Sequence, residues 1–213
     1  MARRKIDNHD DWILARKEQG IGASSAAAIV NMSPFQSSTD LWKELTGQKE
    51  RPDISDKEEV IRGHKLEPIL RDLFVSTHPQ FEMEYHPYDL LFQESRPWAF
   101  CTLDGEIVET ETGKHGIWEC KTASLSNKAA WAKWDGKAPD QYFIQLLWQM
   151  SASGYDFAIL YGALFSLNGS ITIREYRYER EDFEDDIAWL MAEADKFWQH
   201  VQNRTMPPMK LMI

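Results

Sequence analysis

Apolar residues recur through the first third of the chain at the three- and four-residue spacing of helices. This spacing predicts helices from Asp10 to Glu18 and from Ser24 to Val30, the second rich in small residues that permit close packing. Ser38-Thr39 offers an N-cap, Leu41, Trp42 and Leu45 form an apolar stripe, and Gly47 stands where a C-terminal cap belongs, which predicts a third helix. A charged loop through Pro52-Asp53 leads to Asp56-Lys57-Glu58-Glu59. Beyond it Val60, Leu66, Ile69, Leu70, Leu73 and Phe74 mark a long amphipathic helix that Pro68 should bend locally.

The period then shortens to two. Phe81 to Tyr85, Asp89 to Gln93, Trp98 to Leu103, Glu106 to Glu109 and Ile117 to Thr122 read as short strands separated by turn residues, a meander. Asp140 to Ser153 returns to a helical pattern, Phe157 to Leu164 and Ser170 to Tyr178 flank an Asn168-Gly169 turn as two strands, and Asp182 to Gln202 closes the chain as a helix. No internal repeat interrupts the order. The expected fold class is α/β (α+β), a central mixed β-sheet flanked by helices, and 213 residues fit one domain over 1–213.

Composition narrows the setting. No stretch approaches the roughly 20 apolar residues of a membrane span, and Met1-Ala2-Arg3-Arg4-Lys5 has no signal-peptide core behind it, so a soluble, cytoplasmic protein without a membrane partner is expected. Cys101 and Cys120 form no Cys-x-x-Cys pair, which argues against a disulfide framework or structural zinc. The histidines show no metal spacing, and neither a Gly-rich phosphate loop nor a Gly-x-Ser-x-Gly elbow is present, so zinc hydrolase, NTPase and serine esterase lack support. A formal charge of −10 runs against a nucleic-acid partner. The acids cluster, however, as in Glu179-Arg180-Glu181-Asp182-Phe183-Glu184-Asp185-Asp186. An acidic exterior around a basic passage stays compatible with DNA.

Candidate chemistry centres on Trp118-Glu119-Cys120-Lys121-Thr122, because residues two apart on a strand point the same way and put the Glu119 carboxylate beside the Lys121 ammonium. A Glu-x-Lys tripeptide alone is common and proves little. Its apolar neighbours Ile117, Trp118 and Cys120 mark a buried strand, where a charge is costly unless paired or metal-bound. The turn candidate Thr112-Gly113-Lys114-His115-Gly116 would fold Asp104 back beside Glu119. Two carboxylates, a lysine and the backbone carbonyl of Cys120 suit a hard divalent cation of the kind that promotes phosphodiester hydrolysis.

The ordered set Ile21-Gly22-Ala23-Ser24, Gly63-x-x-x-Glu67-Pro68, Leu103-Asp104-Gly105, Glu119-Cys120-Lys121 and Gln141-Tyr142-x-x-Gln145 resembles the lambda exonuclease and YqaJ-like phage recombination exonucleases of the PD-(D/E)XK superfamily. The resemblance spans about Asp11 to Gly162 and implies a restriction-endonuclease-like core. It implies that Asp104 and Glu119 hold Mg2+ (with Mn2+ substituting), that Lys121 is catalytic, that Glu67 supports the site, and that Glu94 is a further carboxylate near the metals. It also implies a 5′-phosphate pocket of Ser24, Thr102, Gln145 and Arg16 or Lys17, with Tyr142 facing the same site and Pro34-Phe35 as a wedge at the terminal base pair. Leucine rather than proline precedes Asp104, and Glu94 stands where an aspartate is usual, which are departures from the pattern.

The activity implied is 5′-to-3′ digestion of double-stranded DNA ends to mononucleotides, leaving 3′ overhangs, by a ring-shaped homotrimer working with a single-strand annealing protein in a phage-carrying bacterial cell. An endonuclease or resolvase on the same fold, and a non-catalytic DNA-binding module, are the alternatives.

Overall fold

The computed structural model describes residues 1–208; residues 209–213, the last of the expected domain, lie outside the described residues. Helix α1 (His9–Gln19) starts where Asn8 accepts the Asp11 N–H at 3.0 Å. It ends at Gly20, whose φ of +133° and closeness to Trp98 leave no room for a side chain: a Cβ would sit 2.6 Å from the Trp98 carbonyl oxygen. The chain then enters β2 (Ile21–Gly22), a 3-10 turn (Ala23–Ser25) and α2 (Ala26–Ile29), all but Gly22 and Ser24 buried. Helix α3 (Ser38–Leu45) is capped by Ser37, whose Oγ accepts the Asp40 N–H at 3.1 Å. The expected cap at Ser38-Thr39 was one residue late, since Ser38 already faces the core. Helix α4 (Glu58–Thr77) runs unbroken through Pro68.

The strands form two mixed sheets where one was expected. The first contains β1 (Ala2–Arg4), β4 (Leu90–Gln93), β5 (Arg96–Cys101) and β2, in the order β1-β4-β5-β2 with only β2–β5 parallel. The second orders β3 (Phe81–Glu84), β6 (Gly105–Glu109), β7 (His115–Leu125), β8 (Phe157–Ser166) and β9 (Ile171–Glu179), with β7–β8 parallel. The expected meander fails because β3 pairs with β6, while the intervening β4–β5 hairpin joins the other sheet. Two-residue alternation says which side chains face inward, but not which strand lies alongside.

Helix α6 (Asp140–Ser153) lies against β4 and β5 of one sheet and β7 and β8 of the other, with α7 (Glu184–Gln202) on its outer side. Pro139 precedes α6 and Gly154, at φ +74°, stops it. A short helix α5 (Lys128–Ala132), capped by Asn127, connects β7 to α6. Alternate residues of β7 feed different cores: Ile117 packs with Trp148, Leu146, Leu160 and Leu164, and Trp118 with Phe74, Phe157, Ile159 and Tyr161 beneath α4. Trp118 and Trp148 are wholly buried and serve the core.

One ion-pair cluster ties the sheets together. Arg3 on β1 donates to Asp89 at 3.0 Å and to Glu106 on β6 at 2.5 Å, and the Tyr155 hydroxyl also donates to Glu106. Burial pushes the Glu106 carboxyl up, but Arg3 and Tyr155 outweigh it and hold it below its ordinary value. Arg3→Ala strands two largely buried carboxylates and should cost ~2–4 kcal/mol, at the lower edge of the range for broken buried pairs because Arg3 keeps some exposure. A depressed carboxyl stabilises above its unfolded pKa and loses that contribution as pH falls through the folded one. Thermal unfolding should therefore show a wild-type advantage that is full at pH 7 and shrinks below about pH 4.3, the ordinary glutamate value; an advantage independent of pH would refute this account.

Candidate active site

Strand β7 outruns its neighbour. β6 begins at Gly105, opposite Trp118, so from Glu119 onward β7 has no strand on that flank. Asp104, just before β6, takes over there: its Oδ2 accepts the Cys120 N–H at 2.9 Å. The bond satisfies a backbone donor the ladder leaves free and fixes Asp104 beside the Glu119-Cys120-Lys121 segment. Strand alternation sends Glu119 and Lys121 toward α6, and Trp118 and Cys120 toward α4.

Glu119 is 2 % exposed. Its Oε1 accepts from Lys121 Nζ and from Gln145 Nε2 at 2.6 Å, and its Oε2 accepts from Gln149 Nε2 at 2.6 Å. Gln145 and Gln149 stand one helical turn apart on α6, which aims both amides at one carboxylate. The Tyr142 ring centroid lies 5.4 Å from Lys121 Nζ. From α4, Glu67 accepts from Arg71 at 2.6 Å, and Arg71 Nε donates to the Asp104 carbonyl at 3.1 Å.

The electrostatics report crowded negative charge. Burial, reinforced by Glu119, raises Asp104 well above the ordinary carboxylate range. Burial also raises Glu67, and Arg71 only partly offsets it. Burial would lower Lys121, but Glu119 and Asp104 outweigh it and keep its ammonium firmly protonated. The donor set fits a hard divalent cation, since the carboxyl oxygens of Asp104 and Glu119 meet beside the Cys120 backbone in a site largely closed to water. Among the described residues no three His, Cys, Asp or Glu side chains form a complete cage. Magnesium asks for only one or two carboxylates plus water.

A second group lies toward α1. The Arg16 guanidinium stacks 4.4 Å from the Trp12 ring centroid, and Trp12 Nε1 donates to Thr102 Oγ1 at 3.1 Å. Burial, and then Arg51, lower Arg16 to about 10. Its Nη2 would lie 3.6 Å from a Cβ on Gly22, beside the 3-10 turn that carries exposed Ser24 and packs on α6. Lys17 is exposed, so of the two candidates Arg16 is the one directed inward. Gln145, by contrast, gives its amide to Glu119.

Glu94 is a correction. It occupies the exposed turn between β4 and β5, at the far end of β5 from Asp104. The six residues of β5, at roughly 3.3 Å each, put about 20 Å between that turn and the end of the strand from which the chain runs on to Asp104. Pro34 and Phe35 lie in the α2–α3 loop, Phe35 81 % exposed, with Ser33 Oγ accepting the Phe35 N–H at 3.2 Å. Three residues escaped the sequence reading: Gln149, hidden in a polar repeat; Arg71, signalled only by its i,i+4 spacing from Glu67; and Trp12, unremarkable among nine tryptophans.

The fold matches solved structures. It resembles the crystal structure of an alkaline exonuclease (LHK-Exo) from Laribacter hongkongensis with a TM-score of 0.68 and 19 % identity, covering 92 % of this chain and 94 % of that one. The same enzyme in complex with dAMP gives 0.67 at 19 % identity and the same coverage. A phage related exonuclease from Haemophilus somnus 129PT gives 0.54 at 14 % identity, covering 87 % of this chain and 96 % of that one. In sequence, the uncharacterized protein YqaJ of Bacillus subtilis (strain 168) is 23 % identical over 212 residues, 93 % of this chain but 58 % of that protein's length. The model of the YqaJ-like viral recombinase domain matches residues 11–156, most of the chain, and the chain belongs to that family.

Proposed function

We propose that this chain is a magnesium-dependent nuclease of recombination that digests double-stranded DNA from the 5′ end, releases mononucleotides and leaves 3′ single strands. One observation carries the reading: Asp104, Glu119 and Lys121 converge where β7 outruns β6. The likeness to exonuclease structures, one of them bound to a mononucleotide, supports it. Single-domain organisation is part of the proposal, since α6 packs on both sheets. No helix among the described residues is long and apolar enough to cross a membrane.

Asp104 and Glu119 would hold the cation, with the Cys120 carbonyl as a third protein oxygen. Bound magnesium would polarise the scissile phosphate and lower the pKa of the attacking water. Lys121, held protonated by its two carboxylate neighbours, acts as a fixed positive charge rather than a base and stabilises charge growing on the phosphoryl oxygens. Glu67 and Arg71 anchor α4 to the Asp104 backbone and keep the carboxylate in place. Arg16, stacked on Trp12 and without an ion pair among the described residues, suits a terminal 5′ phosphate, with Ser24 and Thr102 as neutral neighbours. Tyr142 and Gln145 line the Lys121 and Glu119 side of the site from α6. Phe35 is exposed enough to stack at an opened base pair. Mn2+ is expected to replace Mg2+. The ring-shaped homotrimer and the single-strand annealing partner complete the proposal.

Linear duplex carrying a 5′ phosphate should yield mononucleotides with Mg2+ and nothing in EDTA, while a covalently closed circle stays intact. Cutting of the circle would favour an endonuclease. Lys121→Met should lower the rate ~10²–10³-fold, the usual cost of removing one transition-state charge contact, with Asp104→Asn and Glu119→Gln at least as severe. Full nuclease activity in all three would remove these residues from the chemistry, whereas wild-type protein that binds DNA ends and releases nothing would leave only a DNA-binding module. Arg16→Ala should cut the preference for phosphorylated over unphosphorylated ends ~10–150-fold, the value of a hydrogen bond to a charged group; an unchanged ratio removes Arg16 from the pocket.

The raised Asp104 and Glu67 carboxyls fix a pH dependence. A carboxyl with a raised folded pKa favours the metal-free protein at low pH and loses that contribution as pH climbs through it. A cation binds the ionised form, so the gain in melting temperature from Mg2+ over EDTA should grow as pH rises above the ordinary carboxyl values of about 4. A gain that is flat with pH would contradict it.

A further inference from the structure

We infer that Gln149 is a positioning residue: it fixes the Glu119 carboxylate and so sets the affinity for a divalent cation without touching cation or DNA. The inference rests on the metal site proposed above. Gln149 is 0 % exposed and lies in the buried middle of α6, beside Trp148 and Met150, which are also 0 % exposed. A polar side chain there is costly, and this one is only half satisfied. Nε2 donates to Glu119 Oε2 at 2.6 Å, while Oε1 is buried with no partner. Turning the amide over would set two oxygens against each other, so Glu119 alone dictates its orientation. A methionine would fill the space without burying an orphan acceptor. What the amide adds is its donor.

The two glutamines divide the carboxylate. Gln145, near the mouth at 8 % exposure, shares Oε1 with Lys121, whereas Oε2 receives only Gln149 among the described residues. Losing Gln149 leaves Oε2 without its donor among the described residues, so the carboxylate is held through Oε1 alone and is freer to rotate. A neutral donor is also the one choice that holds Glu119 without cancelling the charge a cation needs. Lysine or arginine at this position would compete with the metal, and aspartate or glutamate would add repulsion to a pocket whose carboxyls are already crowded.

The test is Mn2+ binding to the metal-free protein, read by electron paramagnetic resonance without DNA, alongside thermal unfolding in EDTA. Gln149→Met should weaken Mn2+ binding ~10–100-fold, as loss of a partner of a metal ligand does elsewhere, while metal-free melting holds steady or rises. At saturating Mn2+ the KM for DNA ends should match wild type. Gln149→Glu keeps the shape but donates only when protonated, so its deficit should widen as pH rises, and it carries the test if the methionine variant does not fold. Wild-type Mn2+ affinity in both variants overturns the inference. Failure of the wild-type protein to bind Mn2+ at all would instead remove the metal site, and this inference with it.

Discussion

A carboxylate almost sealed from water must be held by donors or surrender its charge, and Glu119 is the group on which this structure turns. Three donors meet it, two of them on α6 and one two residues along its own strand. That requirement couples elements distant in sequence: α6 must lie close enough to β7 for amides to reach 2.6 Å, and β6 must end early enough for Asp104 to enter. The apolar residues of α6 and β7 fix the same approach through Leu146, Trp148 and Ile117. Packing and chemistry thus constrain one interface, so a substitution in that core shifts the carboxylate as well as the stability.

The net charge of −10 looks different once partners are assigned. Arg3, Arg96, Arg177 and Arg180 each pair with an acid away from the site, so much of the surface charge is internally matched. What stays unmatched is local. Burial raises the carboxyls of Asp104 and Glu67, the latter despite its pair with Arg71, and burial lowers the Arg16 guanidinium, which has no ion pair among the described residues. Carboxyl oxygens gathered at one place and a cation without an ion pair among the described residues at another are complementary to a metal ion and to a phosphate. Formal charge averages them away, which is why composition argued against a nucleic-acid substrate while position argues for one.

Much of the fold was legible because local signals agreed. Helix α6 was predicted at both of its ends, since Pro139 and Gly154 punctuate it. The division into two sheets was not legible, because strand periodicity carries no information about which neighbour a strand will choose. Strand β1 was invisible for a related reason: with two arginines in three residues it is a strand only through its pairing with β4 and the acids that meet Arg3. At the site, Asp104, Glu119, Lys121 and Glu67 are brought together from the positions their motifs marked. Glu94 was carried over from the resemblance as a carboxylate near the metals, and the β4–β5 hairpin instead puts it in the turn at the other end of β5.

Gln149 shows where sequence reading stops on physical grounds. Gln141, Gln145 and Gln149 make one stripe, and a stripe of amides on a helix is the mark of a solvated face. Along this stripe burial deepens, from partly exposed Gln141 to wholly enclosed Gln149. The same spacing thus describes a surface at one end and a carboxylate clamp at the other. What separates them is the strand opposite, whose α6 face carries wholly buried Ile117 and then Glu119, 2 % exposed. A polar stripe acquires chemical meaning when the element it faces buries a charge, because the buried charge then requires the donors that the stripe supplies.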